Sequence, residues 1–191
     1  MNLSLKNHIQ KFVTVSDTEF EQMESYFEEI TIKKKETLLE ADHVASYNYF
    51  VVKGCLRMYF VNDKGVEQTT EFAIENWWLT DLKSFHEQKA SNFYIQAVES
   101  STVLRIQKSK QEILLDKQPI LEKYFRKVYQ KATAASQVRA KFFKQYSREE
   151  LYFHFSSNYP WFIQRVPQYL IASYLGFTPE YLSEIKKKSF S

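Results

Sequence analysis

The pattern of apolar and polar residues changes its period twice along the chain. From Asp17 to Ile30, apolar side chains recur at spacings of three and four, which predicts an amphipathic helix with Ser16 or Asp17 as its N-cap. From Thr31 to Gln107 the chain consists of short runs rich in β-branched and aromatic residues, which predict strands. The predicted strands are Tyr49 to Lys53, Cys55 to Val61, Gln68 to Ile74, Phe93 to Val98 and Thr102 to Ile106. Turn residues between them, Gly54 and the segment Asn62 to Gly65, favour an antiparallel barrel or jelly roll.

A second change of period follows Ser109. Mostly apolar or small side chains then recur at alternating spacings of four and three over about 22 residues. This heptad seam predicts one long helix. The seam comprises Leu121, Phe125, Val128, Ala132, Ala135, Arg139 and Phe142. The small side chains of Ala132 and Ala135 would let an identical helix approach closely, which favours dimerisation. The alternative is that the stripe only covers the open side of the barrel.

Composition excludes several classes of protein. Cys55 is the only cysteine, so the chain holds neither an intrachain disulfide nor a cysteine-cluster metal site, and a buried inert thiol in a reducing cytoplasm is expected. The four histidines are scattered, and we expect no metal and no cofactor. The sequence contains no Gly-rich phosphate loop and no nucleophile motif, so we expect no enzyme. An export signal or membrane-spanning run is equally unsupported.

The segment from Gln168 to Lys188 meets the requirements of a helix-turn-helix. Such a motif needs a small residue where two helices cross, a turn residue that tolerates positive φ, and apolar anchors on both sides. Ala172 and Gly176 supply the first two. Thr178 and Pro179 predict the start of the second helix, because threonine caps a helix and proline fits its first turn. The predicted anchors are Ile171, Leu175, Phe177, Leu182 and Ile185.

Polar side chains at the start of the first helix and on the outward face of the second are candidates for contacts with DNA. These candidates are Gln168, Thr178, Glu180, Tyr181, Ser183, Glu184, Lys186, Lys187 and Lys188. Residues 139–191 carry eight Lys and Arg against four Asp and Glu, whereas residues 1–138 carry eighteen against nineteen. The positive excess therefore lies where a polyanion would bind, although a plain αα-hairpin with a solvated basic tail gives the same pattern. Before this segment, Glu149 to Phe155 predicts a short helix and Tyr159 to Pro167 a connection.

The order of barrel, long helix and helix-turn-helix resembles the Crp/Fnr superfamily, in the subgroup common in Bacteroidetes. The phrases that carry the resemblance are Tyr49 to Arg57, Glu67 to Phe72, Phe93 to Ala97 and Val166 to Gly176. The resemblance implies an α+β fold with an N-terminal antiparallel jelly roll like that of cyclic-nucleotide-binding domains, flanking helices, a long dimerisation helix and a C-terminal helix-turn-helix. The expected domains are a sensor barrel at residues 1–108, a dimerisation helix at 109–146 and a DNA-binding domain at 147–191.

The resemblance has two departures. In cyclic-AMP-binding members a Gly-Glu pair holds the ribose and an Arg-Ser pair holds the phosphate, but the corresponding stretches here are Thr80-Asp81 and Ser91-Asn92. Removing one partner of a buried charge pair costs about 3–5 kcal/mol, so we expect no useful affinity for cyclic AMP. In the second helix of the motif, Glu184 stands where the family usually carries a guanine-reading arginine, so we expect a different operator. With no β-wing expected after Lys188, phosphate contacts are assigned to the terminal lysines, Arg165 and helix N-termini.

The family's ligand cassette falls on the segment from Trp77 to Asn92, which is the candidate pocket for an unidentified small-molecule effector. The candidate ligand-binding residues are Trp78, Asp81, Lys83, Ser91 and Asn92, with Thr133 and Ser136 closing the pocket from the long helix. Asp81 would accept hydrogen bonds from a ligand hydroxyl, and Lys83 would attract an anion. Packing in the core explains the tryptophans equally well.

The function predicted from the sequence is a homodimeric transcription regulator that binds double-stranded DNA at an inverted repeat, with two recognition helices in successive major grooves. RNA polymerase is a further candidate partner, and no membrane is expected. One alternative is a small-molecule sensing or scaffold module with weakened DNA binding, favoured by Glu184. Another is a barrel enzyme of the cupin type, which would need a histidine-rich metal cluster.

Overall fold

The computed structural model describes residues 2–189, with side chains described as far as Lys187. The chain forms two compact units. The barrel unit comprises Met1–Phe60 and Glu71–Gln130, and the helical unit comprises Val61–Thr70 and Lys131–Ser191. The strands are β1 Glu28–Ile32, β2 Thr37–Leu39, β3 Tyr47–Lys53, β4 Leu56–Val61, β5 Glu67–Ala73, β6 Trp78–Leu79, β7 Tyr94–Ala97 and β8 Ser101–Gln107. The helices are α1 Leu3–Gln10, α2 Asp17–Glu24, α3 Leu82–Glu87, α4 Lys108–Lys117, α5 Ile120–Gln145, α6 Arg148–Asn158, α7 Pro160–Arg165, α8 Gln168–Leu175 and α9 Pro179–Ser189.

The barrel unit is built on two antiparallel four-stranded sheets with the strand orders β1-β8-β3-β6 and β2-β7-β4-β5. Inward-facing side chains from both sheets form one buried cluster, which includes Val51, Leu56, Ile95 and Val103. Because successive side chains of a strand point to opposite faces, Phe50 between Tyr49 and Val51 lies on the other face of its sheet. The predicted antiparallel jelly roll is therefore confirmed.

Helices cover the outer face of the β1-β8-β3-β6 sheet. Leu5, Phe20, Leu114 and Leu121 from four different helices pack with Phe50 in a second buried cluster. Fully burying an aliphatic or phenyl side chain of this size contributes about 1.5–3 kcal/mol each, so this cover belongs to the stabilising core of the unit. The apolar side chains in the N-terminal part of α5 therefore pack on the barrel unit. For this part of the helix, the structure agrees with the alternative that the apolar seam covers the barrel.

The first predicted helix is correct at its start and wrong at its end. Ser16 caps α2 in a reciprocal capping box with Glu19, but the helix ends at Glu24 and not at Ile30. Ile30 lies instead in β1, where it pairs with Val103 of β8. The segment Ile30-Thr31-Ile32 is β-branched, and pairing with a long neighbouring strand prevails over the helical spacing of its apolar residues.

The sequence prediction omitted the shortest elements. β6 has two residues and β2 has three, which is too short for an alternating pattern to be visible. The helices α1 and α3 were also not predicted, the helix expected over residues 109–146 is interrupted between α4 and α5, and α7 occupies the segment expected to be only a connection. Its first residue, Pro160, is at a position where the missing N–H is harmless.

The helical unit contains α6 to α9, the second part of α5 and the tip of the β4–β5 hairpin. Its buried side chains include Leu151, Phe162, Leu170, Leu182 and Ile185. The predicted long helix is confirmed as α5, which runs for 26 residues. The hairpin turn is also confirmed, because Asn62 accepts from the N–H groups of Lys64 and Val66, and Gly65 has φ of +74°.

Candidate functional sites

The crossing of α8 and α9 is formed by the residues that the sequence singled out. Ala172 is fully buried, so any larger side chain would push the two helices apart. α8 ends at Gly176 in the left-handed conformation, with φ of +75°, and the N–H of Phe177 closes the turn on the carbonyl oxygen of Ala172. The geometry of a helix-turn-helix follows from these contacts.

The second helix of this motif begins where the sequence predicted. Pro179 is the first residue of α9, and Thr178 Oγ1 accepts from the N–H of Tyr181 at 3.2 Å. Leu182 and Ile185 are buried, which fixes the opposite side of the helix toward solvent. Burial of these two side chains therefore fixes which face of α9 is exposed to solvent.

The predicted DNA-contacting residues lie on the surface of the helical unit. Gln168, Thr178, Glu180, Ser183, Glu184 and Lys187 are exposed, whereas Tyr181 and Lys186 are half-buried. The Tyr181 ring has the guanidinium of Arg148 at 5.7 Å from its centroid and the Phe177 ring edge-on against it. The side chain of Lys188 lies outside the described part of the chain. Their contact with DNA stays a prediction.

Both carboxylates of α9 lie on this exposed surface. A carboxylate repels phosphate, so the exposed Glu180 and Glu184 side chains are unsuited to phosphate contacts. A cytosine N4 amino group is the donor that a carboxylate accepts from in the major groove.

The candidate ligand cassette is held together by its own polar side chains. Asp81 is buried and caps α3, with Oδ1 accepting from the N–H groups of Lys83 and Ser84 at 3.0 and 3.2 Å. Asp81 Oδ2 accepts from the Ser91 hydroxyl at 2.7 Å. The structure thus brings Asp81 and Ser91 together, and both carboxylate oxygens bond within the protein.

Trp78 lies in the aromatic cluster under the helices. Its indole N–H donates to the Tyr124 hydroxyl at 2.8 Å, and its ring lies 5.2 Å from that of Phe50 and 5.3 Å from that of Phe125. Burial raises the pKa of Tyr124, more than the hydrogen bond from Trp78 lowers it, so the phenol stays neutral. This placement agrees with the core interpretation of Trp78, and its role in ligand binding stays a prediction.

The other candidate ligand residues are accessible. Lys83 and Asn92 are exposed in the barrel unit. Thr133 and Ser136 are exposed on the part of α5 that belongs to the helical unit. Their expected closure over an effector also stays a prediction.

Two features of the barrel unit had no signal in the sequence pattern. Arg57 is 97% buried, where Nε and Nη2 both donate to Gln96 Oε1 and the guanidinium lies 4.0 Å from the centroid of the Tyr59 ring. A pocket of about 330 Å³ lies between β2 and the start of β3. It contains Tyr47 and Tyr49, and burial raises the pKa of Tyr49 to about 12. The contact between Arg57 and Gln96 joins β4 and β7, so spacing along one strand could not reveal it.

A model of the cyclic nucleotide-binding domain family matches residues 29–118. This segment is similar to that family. The match covers β1 to α4, which includes both sheets and the cassette around Asp81. The match describes the fold of this segment and does not identify a ligand.

Solved structures extend the similarity beyond this cyclic nucleotide-binding domain. CLP from Xanthomonas campestris, a c-di-GMP-responsive global regulator, matches with a TM-score of 0.69 at 14% sequence identity, over 88% of this chain and 89% of that chain. FixK2 from Bradyrhizobium japonicum matches with a TM-score of 0.63 at 19% identity, over 85% and 83%. The catabolite activator protein of Thermus thermophilus matches with a TM-score of 0.57 at 14% identity, over 93% and 84%. The cyclic nucleotide-binding domain, the long helix and the following helices therefore have a Crp/Fnr-like fold.

Of these structures, the Thermus protein is described as an activator and CLP as a global regulator. No curated protein sequence gives a significant match. Among residues 2–189, no helix is both long enough and apolar enough to cross a membrane. The same residues contain no group of three or more His, Cys, Asp and Glu side chains placed to hold a metal ion.

Proposed function

We propose that the protein is a homodimeric transcription regulator that binds an inverted repeat in double-stranded DNA through α8 and α9. The observation that carries this proposal is the outer face of α9, which is polar and exposed, opposite an inner face fixed by Leu182 and Ile185. A recognition helix must enter the major groove, so its reading side chains must be solvent-accessible before binding. In this proposal the chain has three functional parts: a sensor domain at residues 1–108, a dimerisation segment at 109–146 and a DNA-binding domain at 147–191.

The exposed part of α5 supports dimerisation. Residues Lys131 to Gln145 are exposed apart from Arg139 and Phe142, although Val138 and Phe143 are apolar and 50% and 42% exposed. Helices in proteins take most of their stability from tertiary packing. We therefore infer that this largely exposed stretch of roughly 22 Å packs against a partner. A second copy of the same helix is the partner that we propose.

The two last residues of the predicted seam pack within their own unit, so we place the dimer contact in the middle of the seam. Arg139 donates to the carbonyl oxygen of Thr70, and the Phe142 ring lies 4.5 Å from that of His154, so both side chains contact their own unit. The residues that we assign to the dimer contact are Ala132, Ala135 and Val138, which are exposed. Their small size permits close approach of two helices.

Sedimentation velocity tests this contact. Val138→Glu places a charge in the proposed interface and should shift the protein from dimer to monomer at micromolar concentration. Gln137→Glu, an exposed neighbour assigned to the opposite side of the helix, is the matched control and should remain dimeric. A wild-type protein that sediments as a monomer, or a Val138→Glu variant as dimeric as the control, would contradict the proposed interface.

We propose that any effector of this regulator is a ligand other than cyclic AMP. The cassette holds the buried Asp81 carboxylate, with Ser91 donating to it, where cyclic-AMP-binding relatives of the resembled superfamily use an arginine for phosphate. The accessible side chains are Lys83 and Asn92, with Thr133 and Ser136 proposed as the cover. A thermal-shift titration should give no stabilisation with millimolar cyclic AMP, and a saturable stabilisation would overturn this part of the proposal.

DNA binding is tested by gel shift with the promoter region of the protein's own gene at rising salt. Salt-dependent binding that Lys187→Ala weakens is expected, because phosphate contacts release counterions. Complete absence of DNA binding by a folded dimer would favour the sensing or scaffold module instead. RNA polymerase is proposed as a further partner, to be tested by co-elution on promoter DNA.

A further inference from the structure

The exposed edge of β5 is joined to the first helix of the helix-turn-helix. β5 is the last strand in the order β2-β7-β4-β5, so one row of its N–H and C=O groups has no neighbouring strand. Such groups need partners, since an unpaired backbone group away from water is costly. In the helical unit these partners come from α8 and α5.

Ser173 of α8 replaces a neighbouring strand at this edge. Its hydroxyl accepts from the N–H of Thr69 at 2.9 Å and lies 2.9 Å from the carbonyl oxygen of Glu67, to which it donates. Residues 67 and 69 of a strand point their backbone groups to the same side, so one hydroxyl serves both. The side chain thus reproduces the donor and acceptor of a paired strand.

Arg139 of α5 forms the second half of this junction. Its guanidinium donates to the carbonyl oxygen of Thr70 and to the hydroxyl of Tyr174 at 3.3 Å, and it lies 5.4 Å from the centroid of the Tyr174 ring. Ser173 and Tyr174 are adjacent on α8. Three separate elements of the fold, the hairpin, the long helix and the first helix of the motif, therefore meet at two neighbouring residues.

We propose that this junction, which we call the hairpin clasp (Glu67, Thr69, Thr70, Arg139, Ser173 and Tyr174), positions the helix-turn-helix for DNA binding. All six residues of the clasp belong to the helical unit, where they fix α8 to the Glu67–Thr70 part of β5. Because Ala172 and Gly176 fix α9 on α8, holding α8 also holds the reading helix. Ser173 is a positioning residue, and the proposal rests on the DNA-binding function above.

Loss of the hairpin clasp is expected to weaken DNA binding. Orienting the motif before DNA arrives removes an ordering cost from binding, so a protein without the clasp binds more weakly. Ser173→Ala removes two hydrogen bonds and slightly raises helix propensity, so α8 should stay folded. We expect DNA affinity to fall about threefold to tenfold, the loss that corresponds to about one net hydrogen bond.

Amide hydrogen exchange followed by NMR tests the clasp without DNA. In the Ser173→Ala variant the N–H of Thr69 should exchange at least about tenfold faster, because its acceptor is gone. The N–H of Gly65, which bonds to the Asn62 carbonyl in the turn, should keep its rate. Ser173→Thr retains the hydroxyl and should restore protection, and Ser157→Ala, an exposed serine of α6, is the matched control. Unchanged exchange at Thr69, or failure of the threonine to restore it, would overturn the clasp.

Competition binding on DNA then tests the positioning role. The Ser173→Ala variant should bind more weakly with an unchanged slope of log affinity against log salt, since no phosphate contact is lost, whereas loss of a direct contact would reduce the slope by about 1. Faster exchange at Thr69 with wild-type DNA affinity would overturn the positioning role. A wild-type protein with a protected Thr69 amide and no DNA binding would instead refute the proposed function while the clasp stands.

Discussion

The Tyr124 hydroxyl offers a sharp test of how the aromatic cluster of the barrel unit is held together. It accepts from the Trp78 indole N–H at 2.8 Å and lies 2.7 Å from Nδ1 of His8. An indole N–H can only donate, so the Tyr124 oxygen accepts it, and the hydroxyl forms a second hydrogen bond with the His8 imidazole whose direction depends on the imidazole tautomer. One buried oxygen therefore links α1, β6 and α5.

Tyr124→Phe removes this oxygen and leaves the ring in place. A neutral hydrogen bond contributes about 1 kcal/mol net, and a buried N–H left without an acceptor costs about 1–3 kcal/mol more. We therefore expect the free energy of unfolding to fall by about 2–4 kcal/mol. Tyr26→Phe is the matched control, because its partly buried ring packs on the same cluster, and it should change stability by less than about 0.5 kcal/mol.

Urea unfolding of the full chain, at one protein concentration for all variants, measures the effect. A double-mutant cycle with Trp78→Phe should show strong coupling, since either change breaks the same hydrogen bond. Additive losses, or a Tyr124→Phe variant as stable as the control, would refute the reasoning. Loss of an effector response in a fully stable Trp78→Phe variant would assign that residue to the ligand site instead.

Three further predictions concern the pH dependence of stability, the turn at Gly176 and the side chain of Lys187. Stability should fall as pH rises from about 10 to 12, because burial holds the pKa of Tyr49 near 12 while the unfolded phenol ionises near 10; Tyr49→Phe should flatten this loss in alkaline unfolding curves. Gly176→Ala should destabilise the helical unit by about 1 kcal/mol in thermal unfolding, because a Cβ there meets no atom within 4 Å and only the positive φ is strained. Lys187→Ala should lower the slope of log affinity against log salt by about 1 in DNA titrations, and an unchanged slope would exclude a phosphate contact.

Sequence reasoning succeeded where local chemistry decides the structure. Thr178 and Pro179 fix the start of α9 and Gly176 ends α8, because caps and positive φ act over a few residues. It failed at Ile30, where strand pairing with Val103 competes with a helical spacing. Non-local pairing cannot be read from the spacing of one segment, and this is why the end of the first helix was misplaced.

The candidate sites follow the same division. The exposed and buried faces of α9 were foreseeable, because the period of a single helix separates Glu180 and Glu184 from Leu182 and Ile185. The bond between Ser91 and Asp81 and the role of Ser173 at the edge of β5 were not, since each joins residues that only the folded chain brings together. Hydroxyl groups also carry little pattern signal, as they suit helices, caps and strands alike.

Selection of bound sequences from random double-stranded DNA measures the central claim most directly. The account predicts enrichment of an inverted repeat whose half-sites lie about 10 base pairs apart, one helical turn, as two recognition helices of a dimer require. Within each half-site, changing Glu184 to Gln should alter the preferred base at one position, because a carboxylate and an amide pair with different base edges. Enrichment of no sequence by a folded dimer, or of a repeat unaffected by Glu184→Gln and every other change on α9, would contradict it.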